Sequence, residues 1–261
     1  LNGANARFYI VAFADGRPFH KIASDGGLLA APVPLTEMEM APGERCEIVV
    51  DLSDGQPAEL LTVFEDQFDD DDEGFVSGFR NLLAGPVDRR PQPALTLQPD
   101  PGLPAHRAPL PASLATITRP KAHEIARTRD FILAMQPGKG GHGAHGGHAA
   151  MDMTINGAAM DMNVINERVE RGVWERWRIK ADQGAHPFHV HGCSFLIDAM
   201  EGDVAPPDQR GWKDVVVLDD DDWSEIVVRF DHPASAKFPY MYHCHMLEHE
   251  DRGMMGQFTV S

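Results

Sequence analysis

No run of apolar residues in this chain approaches the roughly 20 that a bilayer-crossing helix needs, so no membrane span is expected. The opening residues, Leu1-Asn2-Gly3-Ala4-Asn5, have neither the basic start nor the apolar segment of an export signal, so any such signal has been removed or lies outside the chain. Positive charge is scarce: 23 Lys and Arg face 40 Asp and Glu, a net charge of -17. That balance argues against nucleic-acid binding and favours attraction of cations, metal ions included. The acidic runs Asp69 to Glu73 and Asp219 to Asp222 carry much of it and are expected to be solvated loops. Cysteine is scarcer still, with three in 261 residues, which excludes a disulfide framework. Cys46 and Cys193 are expected to be small buried hydrophobes. Cys244, between two histidines, is not explained that way.

Long amphipathic helical patterns are missing from both halves, so the chain is expected to be mainly β. Residues 1–100 carry short Val/Ile-rich stretches such as Cys46 to Asp51, separated by turn signals such as Ala41-Pro42-Gly43-Glu44, the pattern of an antiparallel β-sandwich. Over residues 101–127 the periodicity fades within a proline-dense stretch that begins near residue 90, predicting a linker. From Arg129 to Leu133 strands resume, Val173 to Ile179 alternates, and Ile226, Val228 and Phe230 would share one strand face, so residues 128–261 form a second sandwich. The tract Gly140 to His148, followed by Met151, Met153, Met160 and Met162, is either a mobile loop that captures copper transiently or an insertion with chance histidines.

Two dense motifs hold six of the 13 histidines: His186-Pro187-Phe188-His189-Val190-His191-Gly192, and His243-Cys244-His245 continuing to His249 and Met254. Successive side chains of a strand point to opposite faces. His243 and His245 therefore emerge on one face and Cys244 on the other, while His186 is opposite in parity to His189 and His191. One set is Cys244, His186 and His249 with Met254, the thiolate, two imidazoles and weak axial thioether of a blue-copper centre. Structural zinc sites favour closely spaced cysteine pairs, which are missing. The other set, His189, His191, His243 and His245, can bind further copper. Because Cys244 is flanked covalently by both histidines, an electron on the first set has a short through-bond route to the second.

At these motifs the sequence resembles the multicopper oxidase family, closest to bacterial cuprous oxidases and laccase-like enzymes. The resemblance extends through Leu1 to Arg7, Ala23 to Leu29, Ala41 to Arg45 and Gly211 to Asp214. It implies cupredoxin-like Greek-key β-sandwiches, part of a middle domain followed by the complete C-terminal domain. It also implies one-electron oxidation of Cu(I) or phenolic substrates coupled to four-electron reduction of dioxygen to water, in the periplasm, within copper homeostasis. Residue by residue, it makes Cys244, His186 and His249 the type 1 ligands with Met254 axial, His189 a type 2 ligand, and His191, His243 and His245 type 3 ligands. Glu250 matches a proton-relaying carboxylate, or is a salt-bridging strand-end residue.

The family completes its trinuclear cluster with two His-x-His motifs from an N-terminal domain, and this chain has no third or fourth His-x-His. An N-terminal cupredoxin segment is therefore the expected partner, and the chain alone is expected to be inactive toward dioxygen. Met135 and Asp182 match members of the Cu(I) site of cuprous oxidases, while Gly184 stands where a methionine would be and Gln136 to Gly140 lacks a carboxylate. A noncatalytic electron-transfer cupredoxin is the main alternative, and a copper nitrite reductase a weaker one, since that family lacks a cysteine flanked by two histidines.

Overall fold

In the computed structural model the described residues are 1–65, 90–103, 108–137, 151–218 and 222–261. They form two compact units, Leu1–Ile117 and Thr118–Ser261. The expected linker is divided between them: Leu114 donates its N–H to the Ala30 carbonyl in the first unit, and Arg119 ties to the Ile197 carbonyl and Asp198 in the second. The acidic run from Asp69, most of the Asp219 run and the Gly140 to His148 tract lie outside the described residues.

The first unit is two antiparallel sheets. One runs β4 (Glu37–Met40), β1 (Phe8–Phe13), β6 (Ala58–Glu65), β7 (Gln92–Leu97), and the other β3 (Gly27–Leu35), β2 (Phe19–Ser24), β5 (Glu47–Val50). Val11, Phe13, Phe19, Met38 and Met40 fill its core. Cys46 packs against that core, its Sγ 3.8 Å from the Met40 sulfur, but is only half-buried. Cys193 is half-buried as a residue, yet burial pushes its thiol well above the usual thiol range, so the sulfur is the part that is enclosed.

The second unit is built from β8 (Ile125–Pro137), β9 (Met151–Ile155), β10 (Glu167–Val169), β11 (Trp174–Ala181), β12 (His186–Val190), β13 (Phe195–Met200), β14 (Asp203–Val204), β15 (Trp212–Lys213), β16 (Val215–Leu218), β17 (Ser224–Arg229), β18 (Tyr240–Cys244), the one-turn helix α1 (Leu247–Glu250) and β19 (Met255–Val260). Five strands form a sheet in the order β10-β19-β18-β12-β16, and seven the other, β14-β13-β17-β11-β8-β9 with β15 on β13. Two pairings, β8 with β11 and β10 with β19, are parallel, which the strand pattern alone did not reveal.

Strand β11 shows why the sheets stack. Glu175, Trp177, Ile179 and Ala181 are buried while the residues between them are half-exposed, the period-2 pattern of a strand covered on one face. Trp177 meets Phe131, Phe230, Tyr242 and Phe258 at ring-centroid separations of 4.8, 5.7, 6.1 and 5.8 Å. Each fully buried aromatic side chain contributes on the order of 2–3 kcal/mol. One ion pair lies inside this core: Arg129 donates from Nε to Glu175 at 2.6 Å and Trp177 Nε1 donates to the same carboxylate at 2.9 Å, while Arg129 also pairs with Glu167. Both charges are satisfied several times over, as a buried pair requires.

Candidate metal centre

The five-stranded sheet carries the candidate ligands on its central strands. Strands β12 and β18 run antiparallel with Phe188 opposite Cys244, His189 opposite His243 and Val190 opposite Tyr242. Directly opposed residues share a face. The His189–His243 pair therefore occupies one face of the sheet, and Cys244 the other.

On the Cys244 face, His186 at the start of β12 and His249 in α1 bring their Nδ1 atoms toward the thiol. The three atoms lie 3.4 Å (His186 to Cys244), 3.7 Å (His249 to Cys244) and 3.2 Å (His186 to His249) apart. The point equidistant from them is about 2.0 Å from each, the length of a bond from a first-row metal to an imidazole nitrogen and slightly less than one to a thiolate. All three residues are buried. Burial, with His186 and Arg252 adding to it, depresses His249 to about 3, and burial pushes the Cys244 thiol up to about 12. Unaided, the thiol and the His249 ring are thus neutral donors at the edge of a metal-sized centre. His186 Nε2 lies 3.0 Å from the Gln183 carbonyl, so the proton of that ring is held at Nε2 and the Nδ1 lone pair faces inward.

The loop beyond Cys244 is closed by its own backbone. Cys244 N–H donates to the Met254 carbonyl at 3.0 Å, Met254 N–H to the His249 carbonyl at 3.0 Å, and His249 N–H to the Met246 carbonyl at 2.9 Å. The Met246 N–H points at the Cys244 sulfur at 3.5 Å. Met254 is fully buried at the end of this loop. A second segment lies across it: Met160 N–H donates to the Gly253 carbonyl at 3.0 Å, and Gln257 Nε2 donates to the Met162 and Val164 carbonyls at 2.9 and 2.8 Å.

On the opposite face, ring-nitrogen atoms of His189, His191 and His243 lie within 4.8 Å of one another. His191 Nε2 and His243 Nε2 are 3.1 Å apart. His189 Nδ1 bonds to the Asp214 carbonyl at 2.8 Å and His243 Nδ1 to the Cys244 carbonyl at 2.9 Å, so both present Nε2 to the shared space. Burial depresses His189 and His243, and burial with the neighbouring imidazoles depresses His191 to about 4. His245 stands slightly apart, its ring 5.7 Å from those of His189 and His243, with a buried Nδ1 that has no partner among the described residues. Glu250 places Oε2 3.4 Å from His243 Nδ1.

Met135 and Asp182 belong to neither group. Met135 is half-buried on β8 opposite Met153, and Asp182 is exposed, its N–H bonded to the Leu133 carbonyl. Gly184 adopts φ +65, the left-handed region where a methionine would be strained. Reading the sequence missed the parts played by the Gln183, Asp214 and Cys244 carbonyls, because backbone acceptors carry no side-chain signal. Among the described residues, these are the two clusters of three or more potential metal-binding side chains.

Residues 136–261 match the family model described as multicopper oxidase. Cell division protein FtsP is 36% identical in Dickeya dadantii and 35% identical in Escherichia coli, in both cases over all 261 residues of this chain, which spans about half the length of these curated relatives. A laccase-like multi-copper oxidase, CueO from the lignin-degrading bacterium Ochrobactrum sp., superposes with a TM-score of 0.79 at 32% identity, covering 100% of this chain and 54% of that one. A multi-copper oxidase from Pediococcus acidilactici gives a TM-score of 0.75 at 28% identity, covering 100% and 48%.

Proposed function

The chain belongs to the multicopper oxidase family, and from that premise we propose that it is the C-terminal copper-binding half of an oxidase that passes single electrons from Cu(I) or small phenols to dioxygen. The observation that supports this most is the placement of a thiol–imidazole group and an all-imidazole group on opposite faces of one strand, joined through the Cys244–His243 peptide. A simple electron carrier needs only the first group. In this reading His186, Cys244 and His249 would hold type 1 copper with the Met254 thioether as a further donor, His189 would serve type 2 copper, and His191, His243 and His245 the type 3 pair. Bound copper would supply one-electron acceptance at the first group and, with imidazoles from an N-terminal segment, oxygen reduction at the second. The chain's own residues prepare both. Gln183 and Asp214 fix imidazole tautomers through their carbonyls, the Cys244 loop excludes water from the thiol, and Glu250 holds a proton source beside His243.

Met135 and Asp182 supply part of a Cu(I) entry site, weakened because the backbone at Gly184 disfavours a methionine. Retained but reduced Cu(I) turnover follows, with phenols reaching the type 1 edge more easily. A periplasmic location fits such chemistry. A second reading comes from the relatives named cell division proteins, 34% to 36% identical, by which this chain would serve cell division. Copper analysis and oxygen uptake discriminate: this chain should bind blue copper yet leave dioxygen unreduced, and adding the N-terminal segment should restore four-electron reduction. A copper-free protein, or a reconstituted one that consumes no oxygen with either reductant, sinks the oxidase reading.

A further inference from the structure

Tyr240 and Tyr242 point from β18 to the same face as Cys244, yet their rings lean in opposite directions. β12 ends at Val190; beyond it the His191 N–H bonds to the Met241 carbonyl at 2.9 Å, and the turn at Gly192, with φ +77, lies against Tyr240. A β-carbon on Gly192 would lie 2.4 Å from Tyr240 Cε2 and 2.6 Å from Cδ2 and Cζ. On the other side, Tyr242 is paired with Gly256 of β19, and a β-carbon there would lie 2.5 Å from the Tyr242 hydroxyl and 2.6 Å from Cζ. Real β-carbons do not come so close, so each ring occupies space that only a glycine leaves open. An aromatic ring laid across a strand glycine, as at Gly256, fixes register and strand approach, while the Tyr240 ring rests on a turn glycine whose left-handed φ itself disfavours other residues.

Strand β18 is central, with β12 on one side and β19 on the other, and a ligand candidate lies within two residues of each glycine. Gly192 directly follows His191. Gly256 lies two residues beyond Met254, with the His243–Met255 pair between it and the Cys244–Met254 hydrogen bond. Resting on the copper reading above, we propose that the two tyrosines are positioning residues with separate duties. Tyr240 across Gly192 sets the His189–His191–His243 group, and Tyr242 across Gly256 sets the spacing of Cys244 and Met254 in the thiol group.

The duties predict separable effects, which a general loss of stability would not produce. The probe is Cu(II) alone, added to the 261-residue chain and read by absorption and electron paramagnetic resonance, where thiolate-bound and imidazole-bound copper give distinct signals. Gly256→Ala and Tyr242→Leu should shift the blue band and its hyperfine splitting and weaken that site by about 10- to 100-fold, the usual cost of disturbing a supporting contact. The imidazole-bound signal should stay. Gly192→Ala and Tyr240→Leu should weaken the imidazole-bound copper by a similar factor and leave the blue band in place. Tyr240→Phe should preserve both signals. Pairing Gly256→Ala with Tyr242→Leu should recover much of the wild-type spectrum, because the alanine then meets no ring. Should Gly256→Ala fail to fold, Tyr242→Leu and the paired variant decide. Folded variants that move both signals together, or neither, overturn the assignment of duties. A wild-type chain that binds no Cu(II) removes the oxidase reading, and this inference with it.

Discussion

Acidifying the copper-free chain from pH 7 to pH 5 should cost the second unit roughly 3 kcal/mol, and the cost comes from the candidate metal groups. His249 is held near 3 and His191 near 4, both chiefly by burial, whereas an unfolded imidazole titrates at about 6.5. Because the folded values are depressed, the unfolded chain binds more protons throughout the interval between them. Stability therefore rises with pH in this window and is lost as pH falls through about 6.5 toward 4. At pH 5 the unfolded imidazoles are protonated and the folded ones are not, a difference of about 2 kcal/mol for the well-buried His249 relative to pH 7 and about half that for the part-exposed His191, where solvent screens the effect. His189 and His243 are depressed in the same direction and add to the effect. Carboxylates titrate mostly below this range, so the imidazoles dominate it. All four tryptophans, Trp174, Trp177, Trp212 and Trp223, lie within Thr118–Ser261, so urea unfolding followed by tryptophan fluorescence reports on that unit. His249→Asn should remove about half of the pH dependence. A copper-free protein whose stability changes by less than about 1 kcal/mol between pH 7 and 5, or rises on acidification, refutes the picture of a neutral, preformed donor set.

Cys244→Ser should abolish the intense charge-transfer band and narrow copper hyperfine splitting of the loaded chain, since both arise from a covalent copper–thiolate bond; a variant that stays blue places the thiolate elsewhere. Glu175→Gln should destabilise the second unit by about 2–3 kcal/mol, less than the 3–5 typical of a broken buried pair because Arg129 keeps Glu167. Replacing Arg129 and Glu175 together by apolar residues should recover part of that loss in urea unfolding, and strictly additive losses would contradict it. In the reconstituted enzyme, Met135→Leu and Asp182→Asn should slow Cu(I) oxidation several-fold while sparing a phenol; equal effects on both substrates remove the entry site.

The candidate centre was legible because strand alternation is a local rule. Cys244 between His243 and His245 must point to the face opposite theirs, and the observed register pairs His189 with His243 in keeping with that parity. The β-rich architecture followed from the same period, seen again in Trp174 to Ala181. What the sequence could not carry was relational. The left-handed φ of Gly184 is set by the turn between β11 and β12, and the tyrosine–glycine contacts join residues 14 and 48 positions apart. The parallel pairing of β8 with β11 is a matter of topology, to which the apolar pattern of either strand is indifferent. Cys46 shows a different limit: a buried-residue preference is an average over positions, and the rim of a core is a common exception.

Because β18 carries donors on both faces, the sheet acts as a partition whose thickness is a single peptide chain. The separation between the Cys244 sulfur and the His243 ring is then a matter of bond lengths and two side-chain rotamers, with no packing interface between them. Under the oxidase reading proposed above, breathing of the sandwich or a cavity opened in the aromatic core would alter how electrons reach Cys244, while the crossing would run through one covalent segment. Variants of the reconstituted protein that slow turnover without touching β18 should then act at the entrance or at the oxygen end, and leave the crossing rate as it was.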